Sequence, residues 1–229
     1  MNGNGSLNSG MPERPRIGVL ALQGDFAEHI HMLDLIGVSA VEIRKVQQLS
    51  EIDGLIIPGG ESTTIVKLLH MFGFVDDLRR HVESGMALWG TCAGMIVIAR
   101  ELADPYPIPL NLIDIGVARN YFGRQVDSFE SELDIQGIEG GLMRAVFIRA
   151  PIVESIGASV ETIATVPAKA DGTPAQAVGV KKNRVLATSF HPELTNDTRL
   201  HALFVALAEE ARTDSARLTH LTEETPSTV

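Results

Sequence analysis

With one cysteine in 229 residues, the chain cannot close an intrachain disulfide, so its stability has to come from packing. Aromatics are scarce too, at 5% of residues, which disfavours the stacking platforms that hold single-stranded nucleic acid. Positive charge is in deficit: 19 Lys and Arg face 29 Asp and Glu, and a formal net charge of −10 is the wrong sign for a polyanionic partner. No apolar run approaches the roughly 20 residues that span a bilayer. No basic segment followed by an apolar one opens the chain as a secretion signal would, and no repeat is visible at solenoid periods. These absences predict a cytoplasmic protein with neither nucleic acid nor membrane as partner.

What the chain does have is apolar residues, 45% of the total, enough for a large core without staples. The length fits one domain, expected over residues 15–211. Residues 1–14, rich in Gly, Asn and Ser, carry no apolar period and read as a tail, as do 212–229. Between them "RIGVLAL" (16–22) reads as a strand and "QGDFAEHIHMLDLIG" as a helix stopped by Gly37. "AVEIR", "DGLIIP" and "MALWG" are further strands, with a helix after "GGES" and another after Cys92. "RAVFIRA", "ETIATV", "AQAVGV" and "RVLATSF" follow without long helices between them, which predicts some antiparallel pairing before a closing helix near "DTRLHALFVALAEEA". The fold class expected is α/β: a three-layer, flavodoxin-like open mixed sheet, mostly parallel, with helices on both faces. In such sheets ligands bind at the carboxyl ends of the strands.

Three motifs fall at such ends. "GTCAG" has the form Gly-x-nucleophile-x-Gly on a strand-turn-helix corner, where Cys92 would be held in strained backbone with its thiolate favoured by the following helix. "SFHPE" offers His191 as a base and Glu193 as the group that orients it, with Pro192 stiffening the turn between them. "PGGEST" (58–63) places paired glycines after a strand, where backbone N–H groups can turn toward a developing oxyanion, and Ser62 or Thr63 could cap the next helix. The remaining histidines read differently: His29 and His31 face different ways on one helix, while His70, His81, His201 and His220 read as helix or tail surface. One Cys and no matching His spacing leave no metal site.

"LALQGDFAEHI", "GLIIPGGESTT", "GTCAG", "FGRQVDSFE", "FIRAP" and "SFHPELT", in this order, resemble the glutaminase subunits of pyridoxal 5′-phosphate synthases, a branch of the class I glutamine amidotransferases. The resemblance covers residues 16 to 210. It implies hydrolysis of L-glutamine to L-glutamate and ammonia through a thioester, with Cys92, His191 and Glu193 catalytic. It further implies Gly60, Glu61, Ser62, Arg124, Ile148 and Arg149 around the substrate, and Gly60 and Ala93 as the oxyanion hole. No cofactor is implied for this chain. The partner implied is a separate synthase subunit that receives the ammonia. Two other readings stay open on the residues alone: a glutaminase serving another biosynthesis, such as the histidine pathway, and a non-catalytic flavodoxin-like binding module.

Overall fold

The computed structural model describes residues 14–119, 128–168, 170 and 172–223, with side chains through residue 215. The first half alternates strand and helix: β1 (Ile17–Leu20), α1 (Phe26–Leu35), β2 (Ala40–Ile43), β3 (Gly54–Ile57), α2 (Ser62–Met71), α3 (Phe74–Glu83), β4 (Ala87–Thr91) and α4 (Ala93–Ile98). The second half is mostly strand: β5 (Ala99–Leu102), β6 (Ile113–Ala118), β7 (Ser128–Leu133), β8 (Met143–Ile148), β9 (Ile152–Ile156), β10 (Glu161–Val166), β11 (Gln176–Lys182) and β12 (Val185–Thr188), closed by α5 (Arg199–Glu223).

Seven strands form the central sheet in the order β10-β11-β12-β4-β3-β1-β2. The four pairings from β12 through β4, β3 and β1 to β2 are parallel, and β10-β11-β12 is an antiparallel meander. Smaller sheets, β5-β6-β9 and β7-β8, pack on its two faces. This is the open, mostly parallel α/β sheet that the alternation predicted.

Because both faces are covered, the central strands are apolar throughout instead of alternating with polar residues. Leu55 and Ile57 of β3 point to the side of α2, α3 and α4, while Ile56 points to the side of α1 and α5. β4 divides the same way, Leu88 to one side and Trp89 to the other, and every one of these side chains is fully buried. Each large apolar side chain buried this way is worth about 1.5–3 kcal/mol.

The edges of the domain differ from expectation. Arg14, placed in the tail, anchors to the end of α1 by donating to the carbonyls of Ile36 (3.1 Å) and Gly37 (2.6 Å). At the other end α5 does not stop near 211; it continues to Glu223, with Asp214 paired to Arg184 at the β11–β12 turn. Between α2 and β4 lies a further helix, α3, which the sequence did not announce: Gly73 follows α2 in the left-handed region (φ 72°) and caps α3.

Candidate active site

Four parallel strands deliver their carboxyl-terminal loops to one place. After β1 come Gln23, Gly24 and Asp25; after β3, Gly59 to Glu61; after β4, Cys92; after β12, His191 and Glu193. β4 and β12 are neighbours in register, with Thr91 opposite Thr188, and the Cys92 N–H donates to the Thr188 carbonyl at 2.8 Å. Nucleophile and base are thus spaced by the sheet's own ladder.

Cys92 sits at φ 46°, ψ −104°, a backbone conformation that a non-glycine residue adopts only under strain of about 1–3 kcal/mol. Its flanking glycines are sterically required. A Cβ on Gly90 would stand 2.5 Å from the Gly94 carbonyl oxygen, and one on Gly94 would collide with the carbonyl of Ile57. The corner therefore packs strand, turn and helix closer than any side chain allows, as the Gly-x-Cys-x-Gly form predicted. Cys92 is 7% exposed, and its Sγ lies 3.9 Å from the Ile148 carbonyl oxygen.

His191 is buried and hydrogen-bonded to Cys92 on one side and Glu193 on the other. Its Nδ1 lies 2.7 Å from Glu193 Oε1 and 3.8 Å from Asp25 Oδ2. Burial alone would lower its pKa, but the bonds to Cys92 and Glu193, with their charges, outweigh burial and push it up to about 10. Glu193 moves up from the usual carboxylate value because burial penalises its charge, against the opposing pull of His191. Asp25, His191 and Glu193 are the one group among the described residues with metal-ligand atoms within 4.8 Å of one another.

A cavity of about 150 Å³ opens beside the thiol, lined by Gly60, Glu61, Ser62, Cys92, Ala93, Ile96, Arg119, Ile148 and Arg149. Of the residues expected around a substrate, all but Arg124 meet here. Arg124 lies outside the described residues. The cavity also has Arg119, which no sequence motif singled out; its Nε donates to Asp104 at 2.9 Å, and this pins the guanidinium. The cap of α2 differs from expectation, and Glu61 takes that role besides lining the cavity. Its carboxylate accepts from the Thr63 (3.1 Å) and Thr64 (2.7 Å) backbone N–H groups, so it is Glu61, not Ser62 or Thr63, that caps α2. Burial acts to raise its pKa, but these bonds prevail and lower it. The Glu61 N–H in turn donates to Gln23 Oε1 at 2.8 Å, tying the glycine loop to the loop after β1. Gly60 holds φ 148°, and a Cβ there would meet Gln23 Oε1 at 2.6 Å. A larger cleft of about 760 Å³ lies at the opposite end of the strands, beside Met86 and Arg184, and holds neither nucleophile nor base.

His29 and His201 also depart from expectation. Both are fully buried behind the site, where a surface position was predicted for His201 and no role for His29.

Residues 19–210 match the SNO glutamine amidotransferase family. The chain belongs to that family. It is 54% identical over 197 residues to the pyridoxal 5′-phosphate synthase subunit PdxT of Dehalococcoides mccartyi strain 195, covering 85% of this chain and 98% of the relative. A PdxT of Rhodococcus jostii is 52% identical over 194 residues, covering 84% and 96%. Among solved structures, a glutamine amidotransferase superposes with a TM-score of 0.77 at 47% identity, covering 84% of this chain and 98% of that one. A chain of PurLQS from Thermotoga maritima, 15% identical, shares the fold alone, with a TM-score of 0.58 over 89% of this chain and all of the other. As a glutamine amidotransferase the chain is an enzyme, and its open α/β sheet is that of its structural neighbours. No helix among the described residues is long and apolar enough to cross a membrane.

Proposed function

We infer that this chain is the glutaminase subunit of a pyridoxal 5′-phosphate synthase, a cytoplasmic enzyme that frees ammonia from L-glutamine and hands it to a separate synthase subunit. The observation that carries the reading is the alignment of Cys92, His191 and Glu193 at the ends of adjacent strands beside a cavity that holds Arg119. The relatives, which are pyridoxal 5′-phosphate synthase subunits, supply the pathway.

In this reading Cys92 Sγ attacks the side-chain amide carbon of glutamine, forming a C–S bond while His191 holds the thiol proton. Backbone N–H groups of Gly60 and Ala93 receive the oxyanion. Collapse breaks the C–N bond, and His191 passes its proton to the departing ammonia, leaving a γ-glutamyl thioester. His191 then takes a proton from water as the water attacks, which releases glutamate and restores the thiol. Glu193 holds the imidazole in one orientation and balances its charge. Arg119 binds the α-carboxylate of glutamine, with Arg149 and the Ile148 backbone closing the same side. Ammonia set free in water would be protonated, which favours direct transfer to a docked partner.

The test is covalent labelling of Cys92 with a glutamine-analogue electrophile, alongside glutamate release by wild type and Cys92→Ser in the presence of the synthase subunit. The reading expects labelling at Cys92, no turnover by the serine variant, and unfolding temperatures that agree to within about two degrees. A serine variant that keeps most of the wild-type rate would overturn it.

A further inference from the structure

Behind Glu193 lies a polar cluster for which the triad alone has no use. His29 of α1 and His201 of α5 are both fully buried. His29 Nδ1 lies 3.0 Å from His201 Nε2. On its far side, His29 Nε2 lies 3.1 Å from Thr91 Oγ1 and 3.4 Å from Glu193 Oε2. That oxygen is the one His191 does not use, and among the described residues it has no hydrogen-bond partner of its own, the His29 ring standing nearby at ion-pair distance. Trp89 packs edge-on against both imidazoles, with ring centroids 5.6 and 5.0 Å away, and fixes their planes.

Hydrogen-bond accounting gives this chain of rings a direction. One proton sits between the two imidazoles. If His29 supplied it, His201 would carry its own proton on Nδ1, and that atom is buried with no partner among the described residues. A buried N–H without an acceptor is rarer and costlier than a buried lone pair. That arrangement would also turn the lone pair of His29 Nε2 toward a carboxylate oxygen. The opposite arrangement leaves only a lone pair at His201 Nδ1, lets His201 Nε2–H donate to His29 Nδ1, and aims His29 Nε2–H at Glu193 Oε2 and Thr91 Oγ1.

We propose that His29 is a positioning residue for catalysis, which holds the second oxygen of Glu193 in a tautomer that His201 fixes. Glu193 is then gripped at both oxygens and His191 cannot swing, so its Nε2 stays on Cys92 through both half-reactions. The pair stays neutral and adds no charge to compete with His191. Burial, then His201, then His191 lower the His29 pKa well below its ordinary value, and burial takes His201 to about 3. This proposal rests on the glutaminase reading for its effect on turnover, but not for the tautomer.

The first experiment is 15N NMR of the wild-type chain at pH 7. It should show His29 and His201 neutral, each with its proton on Nε2; a proton on Nδ1 of His29, or a charged His29, overturns the proposal. The second compares His29→Leu with His29→Gln, whose amide keeps an N–H at similar reach. Cys92 alkylation by iodoacetamide is followed against pH, because it reports the thiolate facing His191, where Glu193 and Asp25 are the other charged groups. The leucine variant should raise the alkylation midpoint by about one pH unit, and should lower kcat with little change in KM. The glutamine variant should recover most of both. Equal midpoints in wild type and both folded variants would make His29 a packing residue only. Should wild type neither label nor turn over glutamine, the glutaminase reading fails while the NMR result still decides the tautomer.

Discussion

Gly59 is the residue whose replacement tests the site most directly. Its φ is not in the left-handed region, so alanine is compatible with the backbone there. The obstacle is the catalytic ring. A Cβ on Gly59 would overlap Cε1 of His191, stand 3.0 Å from its Nδ1 and lie 3.2 Å from Asp25 Oδ2. Non-bonded carbon contacts are comfortable at about 3.5–4.0 Å, so the imidazole has to withdraw by about 1 Å. It has nowhere to go without lengthening its 2.7 Å bond to Glu193 or leaving Cys92. A misplacement of about 1 Å at reacting groups costs on the order of a hundredfold in rate. Gly59→Ala should therefore lose about two orders of magnitude in kcat, while overpacking costs only about 1–3 kcal/mol of stability. Glutamate release with the synthase subunit present gives the rate, and thermal unfolding gives the second quantity. An alanine variant within twofold of wild type in kcat would refute the packing of Gly59 against His191.

Arg119→Ala should raise KM for glutamine about 10- to 100-fold with a smaller change in kcat, as expected for loss of a charge-assisted carboxylate contact; an unchanged KM would remove Arg119 from the substrate site. Glu61→Ala should lower stability by about 1 kcal/mol, seen in urea unfolding, because it strips the cap from α2, whereas Ser62→Ala should not. Two titrations have opposite signs. His191 has a raised pKa, so its contribution to stability is full below about 6.5 and is lost as pH rises toward about 10; the unfolding-temperature difference between wild type and His191→Asn should shrink over that window. His201 has a lowered pKa, so its contribution is present above about 6.5 and is lost as pH falls toward about 3; His201→Gln should flatten the acid limb of the stability curve.

The sequence announced Cys92, His191 and Glu193 because each sits in a short local motif whose geometry depends on its immediate neighbours. The parallel strands were legible for a similar reason: β1, β3 and β4 are buried on both faces and read as unbroken apolar runs. β7 was not, since its burial alternates along an exposed hairpin and its residues are largely polar. Arg119 was missed because an arginine that lines a cavity carries no local signature; only the fold brings the end of β6 over the thiol. His29 and His201 did leave a signal that chemistry obscured. His29 shares its stripe with Met32 and Leu33, and His201 shares one with Phe204 and Ala208, at the spacings of a buried helix face. For His201, treating histidine as a surface residue overrode the period.

The pairing of β4 with β12 also governs when the protein becomes reactive. Cys92 is made early in synthesis, but the strand that sets His191 opposite it emerges late and has to insert between β4 and β11. Parallel pairing over so long a separation is among the slow events of folding. Until it happens the chain carries an ordinary thiol, without base or orienting acid. A nascent or half-folded molecule is thereby unable to turn over glutamine and reacts with electrophiles only as an ordinary exposed cysteine does. Glutamine turnover consequently counts finished molecules, which makes the active site a built-in gauge of complete folding.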